Sequence, residues 1–395
     1  MRLLVAFKLI HETLLASSRP QSNLVNMQFI DIKAIHARSS AEIDAALAKV
    51  LEHGRYINGP EVNELEVSLG TFLGSIGQPV NCTAVASGTM ALEVALRALG
   101  IGPGDEVITT PFTWISTAET IALVGATPVF ADIEADTFNI DPTEVKKAIS
   151  QKTKAIIAVD LFGQMADYSA LEAIAEEHNL KIIEDAAQSF GAEQNARKAG
   201  TVGHIATTSF FPAKPLGGYG DGGAIFTSDE SLSEDIRAIT NHGCKEREEH
   251  YLLGTNGRSD SLQAAIIHAK FPNFRDEEIR LRKEVGARYT KALKDHVSVP
   301  TSRFGNSHIY AQYTIRSKDR NSLAEVLKSK GIPSAVYYRK PLHKQKVFSH
   351  LPTAKKSFLV AEEAAEQVIS LPFHPYLCET DQDRIISAVL EHELA

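Results

Sequence analysis

Cysteine is scarce in this chain: Cys82, Cys244 and Cys378 are the only three in 395 residues. They are odd in number, widely spaced and include no Cys-x-x-Cys pair. That argues against a disulfide framework and against a zinc or other metal site, and it fits a reducing compartment such as the cytoplasm. No block of basic residues occurs. With 41 Lys and Arg against 49 Asp and Glu, the formal net charge is -8, which speaks against nucleic acid as a partner. An acidic total does not exclude an anionic substrate, because a local site can still be positive. Long apolar runs are missing too. Leu3 to Leu15 is broken by Lys8, His11 and Glu12. A membrane span wants about 20 apolar residues and an export signal an unbroken apolar core. Residues 1–26 are therefore expected to be a disordered extension outside the fold, with the first ordered segment opening at Met27. There is no internal repeat and no low-complexity tract.

What remains is an ordinary globular composition, 44% hydrophobic and 23% charged, in a chain long enough for a large domain plus a smaller one. From about residue 80 to 240, short apolar runs alternate with helical ones. Val80 to Val85, Glu106 to Thr109, Pro128 to Ala131, Ala155 to Val159, Lys181 to Glu184, Ile205 to Phe211 and Ala224 to Thr227 read as strands. Met90 to Leu99, Ser116 to Val124 and Tyr168 to His178 read as helices. The strands are apolar throughout rather than alternating, as expected of a mainly parallel sheet covered by helices on both faces. Ala41 to His53 reads as an amphipathic helix ending at Gly54. Beyond Ser259 the pattern turns helical and charged, with a break expected at Pro272. A C-terminal α/β unit then combines strands (Tyr310 to Ile315, Ala335 to Tyr338) with helices (Ser322 to Ser329, Ala361 to Val368, Asp381 to Glu391). The expected division is 27–260 for the N-terminal segment and large domain, and 261–395 for a linking helix and the small domain.

Four stretches carry chemistry. Ser87-Gly88-Thr89 follows a strand and opens a helix, so backbone N–H groups at the positive helix end could hold a phosphate; a tight turn uses the same residues. Ile182-Ile183-Glu184-Asp185 runs an apolar strand into an acidic residue at the edge where open α/β sheets bind ligands. Asp185 could hold a pyridinium proton there, or cap a helix. Lys214 lies in Ser209-Phe210-Phe211-Pro212-Ala213-Lys214-Pro215-Leu216-Gly217, an apolar, proline-flanked setting. A desolvated lysine there would have a lowered pKa and could form a Schiff base with an aldehyde; most lysines are simply solvated. The run that follows, Gly217 to Gly223, holds five glycines and permits close backbone approach. Trp114, the only tryptophan, could stack on a flat ring or fill a core.

In this order these residues resemble the DegT/DnrJ/StrS sugar aminotransferases, on the type I, aspartate aminotransferase-like fold. The resemblance runs from about Phe29 to the C-terminus. It rests on Glu184-Asp185-Ala186-Ala187-Gln188, on Ser209 and Lys214 with Pro-Leu-Gly after it, and on Gly222-Gly223-Ala224. It implies a large domain with a mainly parallel seven-stranded sheet and pyridoxal 5'-phosphate as cofactor. Lys214 would carry the internal aldimine and shuttle the proton between substrate carbon and cofactor. Asp185 would pair with the pyridine nitrogen, Gln188 with the ring hydroxyl, and Trp114 would stack on the ring. Gly88, Thr89 and Ser209 would hold the phosphate. Such enzymes are homodimers with shared sites, so Asn256 in Gly254-Thr255-Asn256-Gly257-Arg258 would reach the phosphate of the neighbouring subunit. Position 257 is often bulkier in the family, and Ala213 stands where serine is common. A related branch that dehydrates sugars has histidine in place of the lysine; Lys214 excludes it.

The stretches from Gly104 to Thr109, Phe162-Gly163-Gln164 and Ser370-Leu371-Pro372-Phe373-His374-Pro375 resemble the branch that aminates a UDP-linked 2-acetamido-3-keto-glucuronic acid with L-glutamate for surface polysaccharide. Arg258 would meet the uronate carboxylate in a forked contact. His308 and Tyr310 resemble sugar-facing positions, or are ordinary strand residues. Three other readings stand beside this one: a 3- or 4-keto-6-deoxy sugar aminotransferase, a non-catalytic regulator on the same fold, and an α-amino acid aminotransferase. The last wants an arginine near the C-terminus for the α-carboxylate, and Arg384, in a charged helix, is a poor candidate.

Overall fold

The computed structural model describes residues 27–75, 79–246 and 248–394; the expectation for residues 1–26 lies outside the described residues. At its centre are the strands β1 (Asn81–Val85), β2 (Glu106–Thr109), β3 (Thr127–Phe130), β4 (Thr153–Val159) and β5 (Lys181–Asp185). A short hairpin of β6 (Glu193–Gln194) and β7 (Arg197–Lys198) precedes β8 (Ile205–Ser209) and β9 (Gly223–Thr227). The seven-stranded sheet has the order β1-β9-β8-β5-β4-β2-β3. β9 is antiparallel to both neighbours, β1 and β8, and the other pairings are parallel. The expected fold class stands.

Successive residues of one strand enter different cores. Ile156 and Ala158 pack with Tyr168, Leu171 and Ile174 of the helix Tyr168–His178. Ala155 and Ile157 pack with Ala91, Leu92 and Val94 of the helix Gly88–Ala98. Both faces are thus covered, and this is why the strand has no polar side. The N-terminal helix Ser40–His53 ends at Gly54, whose φ of 68° needs the freedom of glycine. A hairpin of β10 (Cys244–Glu246) and β11 (Glu249–His250) follows the sheet.

The C-terminal unit pairs β12 (Tyr313–Arg316) with β13 (Val368–Leu371), antiparallel. Its core joins Tyr289, Tyr313, Leu323, Leu327, Ile385 and Val389, and Met27 packs into the same cluster. Three expectations need correction here. The strand begins at Tyr313 rather than Tyr310, because Tyr310 sits at a φ of 51°, in the left-handed region that ends an extended run. Ala335 to Tyr338 makes a single bridge, Ala335 with Ser370, in place of a strand. Pro272 does not break its helix. Ser261–Asn273 runs on with Pro272 inside it and passes through a π-turn at Phe274–Glu278 into Ile279–Leu293, so the proline costs one hydrogen bond of the turn before it without ending the helix.

Candidate active site

Strand β5 runs from the exposed Lys181 through the apolar Ile182 and Ile183 to Glu184 and Asp185, and it delivers Asp185 to the C-terminal edge of the sheet. No helix starts there; a turn follows, so Asp185 is not a cap. Its Oδ1 accepts the Ala187 N–H at 3.2 Å and its Oδ2 the Thr117 hydroxyl at 3.2 Å. Asp185 is buried, and desolvation raises its carboxyl above the ordinary range, with the Lys214 ammonium, the Ala187 N–H and the Thr117 hydroxyl opposing that rise.

Lys214 stands in a turn beyond β8, where its N–H donates to the Phe211 carbonyl at 2.8 Å. The loop returns to the sheet through Phe210 N–H to Gly222 O at 2.8 Å and Gly218 N–H to Phe210 O at 2.7 Å. A Cβ on Gly217 would lie 2.5 Å from the Pro212 carbonyl oxygen, so this turn requires glycine. The Lys214 side chain opens onto a cavity yet is packed closely enough that desolvation lowers its pKa, with the Asp185 carboxylate opposing. It is no solvated surface lysine.

On the opposite wall, Ser87 caps the helix Gly88–Ala98, its Oγ accepting the Met90 N–H at 3.1 Å. Gly88 and Thr89 fall in the first turn, where backbone N–H groups have no partner within the helix. A Cβ on Gly88 would sit 2.7 Å from the Ser209 Cβ, which brings Ser209 against this helix end. Thr89 Oγ1 and Ser116 Oγ are 2.8 Å apart. Gln188 is fixed at both ends: Oε1 accepts the Phe162 N–H at 2.8 Å, and Nε2 reaches the Tyr338 hydroxyl at 3.4 Å. Trp114 is exposed, with its ring centroid 6.4 Å from that of Tyr338.

One cavity of ≈ 430 Å³ is lined by Gly88, Thr89, Trp114, Asp185, Gln188, Ser209 and Lys214 together. Thr117, Tyr337 and Tyr338 also line it, and none of these carried a motif in the sequence. Thr117 lies three residues past Trp114, and that proximity is its only signal; Tyr338 comes from the distant C-terminal unit.

Asn256 and Arg258 are not in this cavity. Arg258 lines a separate one of ≈ 620 Å³, where its guanidinium donates to Asn241 Oδ1 at 2.5 Å and Asn256 Oδ1 at 2.8 Å. Asp260 is engaged elsewhere, capping Ser261–Asn273 through the Gln263 N–H at 2.7 Å. His308 and Tyr310 are buried, and their rings stack at 4.0 Å. His308 Nδ1 accepts the Tyr310 N–H at 3.0 Å, and burial pulls its pKa down to about 3. Neither lines the Lys214 cavity, so the sugar-facing position expected of them is not met within this chain.

Behind Asp185 lies a pair of further carboxyls, Asp160 and Glu184, both fully buried. Asp160 accepts Ser189 Oγ at 2.7 Å, Tyr168 OH at 2.9 Å and Ala166 N–H at 2.9 Å. Glu184 accepts the Gly200 and Val202 N–H groups, each at 2.9 Å. Burial pushes Asp160 up to about 7, and burial together with the Asp160 charge raises Glu184.

A lysine whose amine is lowered in pKa by desolvation shares one cavity with a buried carboxylate and a helix end suited to an anion, an arrangement suited to carbonyl and amino chemistry. The model of the DegT/DnrJ/EryC1/StrS aminotransferase family matches residues 37–390. This chain belongs to that family and is an aminotransferase. A UDP-2-acetamido-2-deoxy-3-oxo-D-glucuronate aminotransferase of Pseudomonas aeruginosa is 48% identical over 92% of this chain and 99% of its own length. A pleiotropic regulatory protein of Geobacillus stearothermophilus is 43% identical over 93% and 98%. Among solved structures, a DegT DnrJ EryC1 StrS aminotransferase from Brucella abortus matches with a TM-score of 0.89 at 44% identity, over 93% of this chain and 99% of that one. NtdA from Bacillus subtilis, solved with bound cofactor PMP, matches with a TM-score of 0.86 at 27% identity, over 95% and 87%.

Proposed function

We propose that this protein transfers an amino group from L-glutamate to a nucleotide-linked keto sugar, using pyridoxal 5'-phosphate. The substrate of this reading is UDP-2-acetamido-2-deoxy-3-oxo-glucuronate and the product its 3-amino derivative, made in the cytoplasm for a surface polysaccharide such as O-antigen. The observation that carries it is the opposition of Lys214 and Asp185 in one cavity beside the Gly88–Ser209 cradle. The 48% identity to the Pseudomonas enzyme supports the choice of sugar.

The residues present fit the cofactor. The Gly88 position leaves no room for a Cβ against Ser209, as a cradle for a phosphate requires, and Asp185 is a buried carboxylate whose near cation is Lys214. When bound, the cofactor supplies an aldehyde for the amino group and a ring that accepts the electrons released from a broken C–H bond. Gly88 and Thr89 N–H groups, Thr89 Oγ1 and Ser209 Oγ would hold its phosphate. Asp185 would keep a proton on the ring nitrogen, Gln188 would orient the ring hydroxyl, and Trp114 would cover one ring face. Lys214 Nζ, poised by its lowered pKa, would attach to the cofactor and move the proton to and from the substrate carbon.

Asn256 and Arg258 would serve the site of a second copy in a homodimer, Asn256 at the phosphate and Arg258 at the uronate carboxylate. Exposed apolar side chains beside them in the chain, Tyr251 and Leu253, favour a covered face there. Incubation with keto sugar nucleotides, 2-oxo acids and L-glutamate, read by mass spectrometry, tests the reading: an amino sugar nucleotide is expected, and a 3- or 4-keto-6-deoxy sugar as sole acceptor would replace it. The regulatory reading predicts no glutamate-driven change in the cofactor spectrum, and the grouping of Lys214, Asp185 and Gln188 in one cavity stands against it.

A further inference from the structure

The loop that carries Lys214 is closed by its own backbone bonds, such as Gly218 N–H to Phe210 O at 2.7 Å, but has few side chains to hold it further. Positions 217, 218, 220, 222 and 223 are glycine, and a chain without side chains has the most conformational freedom to lose. It lies flat on the helix Ser261–Asn273: a Cβ on Gly218 would come within 2.9 Å of Gln263 Oε1, and one on Gly222 within 3.5 Å of Ile267. Two side chains of that helix bond the loop backbone. Lys270 Nζ donates to the Gly217 carbonyl, and Gln263 Oε1 accepts the Tyr219 N–H at 2.9 Å.

Lys270 is out of place by packing criteria alone. It is 7% exposed and sits between Ile267 and Phe271, both in the core. Burying an ammonium costs several kcal/mol unless it is hydrogen-bonded and compensated. Burial pulls this one down to about 8, while the Glu278 carboxylate works in the opposite direction. An apolar side chain would fill the space at lower cost, but it could not donate to Gly217.

We infer that Lys270 is a positioning residue for the reaction: through Gly217 it fixes the turn that aims Lys214 into the cavity, with Gln263 as a second hold at Tyr219. The inference rests on the assignment of Lys214 above. A loose loop would leave Lys214 in the cavity but spread its amine over positions from which proton transfer is slow, and a displacement of about 1 Å can cost about a hundredfold in rate.

The test uses the full-length protein loaded with pyridoxal 5'-phosphate, with Lys270→Met and Gln263→Met as variants. Three quantities are read: the pH midpoint of the visible band of the lysine-bound cofactor, kcat and KM for the glutamate half-reaction, and backbone hydrogen exchange over residues 214–222. Lys270→Met is expected to bind cofactor one to one and to lose roughly ten- to a hundredfold in kcat. Its KM should hold within about twofold, its band midpoint should move, and exchange at 217–219 should quicken. A variant that melts at lower temperature but keeps the wild-type kcat and band midpoint overturns the inference, since packing alone would do that. If Lys270→Met does not fold, Gln263→Met decides by the same criteria. Failure of the wild-type protein to respond to glutamate would instead sink the functional reading, so the two failures are distinct.

Discussion

Thr117 Oγ1 lies 3.2 Å from Asp185 Oδ2 and donates to it, so that a helix following β2 holds the carboxylate at the end of β5. Both residues are buried, and a hydrogen bond to a charged group in such a place contributes about 1.5–3 kcal/mol. Thr117→Val should therefore slow the glutamate half-reaction roughly ten- to a hundredfold, the rate equivalent of that energy. Thr117→Ser should restore most of the rate. Stopped-flow absorbance of the cofactor measures both, and a valine variant at wild-type speed would show that Asp185 is held by other contacts.

Lys214→Ala should abolish the visible band of lysine-attached cofactor and with it turnover. The lowered lysine pKa and the facing Asp185 motivate this. A spectrum and steady-state assay suffice; normal transamination by the variant would contradict the assignment.

Asp185→Asn should still bind cofactor, because the phosphate cradle is separate, but should slow the chemistry by orders of magnitude. The ring proton would lose its charge partner. Equilibrium dialysis and single-turnover rates distinguish the two effects, and a near-normal rate would refute the role.

Stability should carry a pH signature from Asp160. Its folded value, pushed up to about 7 by burial, lies above the unfolded value of about 3.9, so the folded state binds the proton more tightly. That contribution is fully present below about pH 4 and is lost as the pH rises through about 7. Asp160→Asn lowers stability overall by losing acceptors for Ser189, Tyr168 and Ala166, but it removes this titration. The melting temperature of wild type minus variant should thus be larger at pH 5 than at pH 8. An equal difference at both would mean that burial does not raise the Asp160 carboxyl in the folded state.

Mixing Lys214→Ala with Arg258→Ala should recover activity if sites are shared. Random pairing makes about half the dimers mixed, each with one intact site, giving roughly a quarter of wild-type activity from an isologous dimer. Activity after co-refolding is the measurement. No recovery in mass-confirmed mixed dimers would exclude sharing, and full activity of Arg258→Ala alone would exclude its contact with substrate.

Much of this could be read from the sequence, for identifiable reasons. Strands such as Ile182-Ile183 are apolar on both faces because helices cover both, so they stand out from their neighbours. Asp185, Gln188, Ser209 and Lys214 come to one cavity because each ends or follows a strand at the same edge of the sheet, where local order suffices to place them. Tyr338 and Thr117 were hidden for the opposite reason: their position depends on how a distant unit and a neighbouring helix pack, which no local pattern records. The helices Pro60–Leu73 and Pro142–Ala148 begin at Gly59-Pro60 and Asp141-Pro142, start signals that shape the backbone and carry no chemistry. For His308 and Tyr310, residue type and position beside a strand do not reveal that one ring stacks on the other.

Met27 packs in the core that holds Tyr289, Leu323 and Val389, and Phe29 O accepts the Phe373 N–H at 2.9 Å. The two extremes of the described chain therefore close on each other around everything between them. On a ribosome the central sheet can assemble while translation proceeds, since most neighbouring strands follow one another in the chain, the exceptions being β1 beside β9 and β4 beside β2. The C-terminal core has no such option. It must wait for the last helix to leave the exit tunnel, and until then Met27, near the start of the chain, lacks the core it packs into. The order of synthesis thus separates the two halves of this contact by nearly the whole length of the message, and the apolar side chain of Met27 is without its partners in the interval.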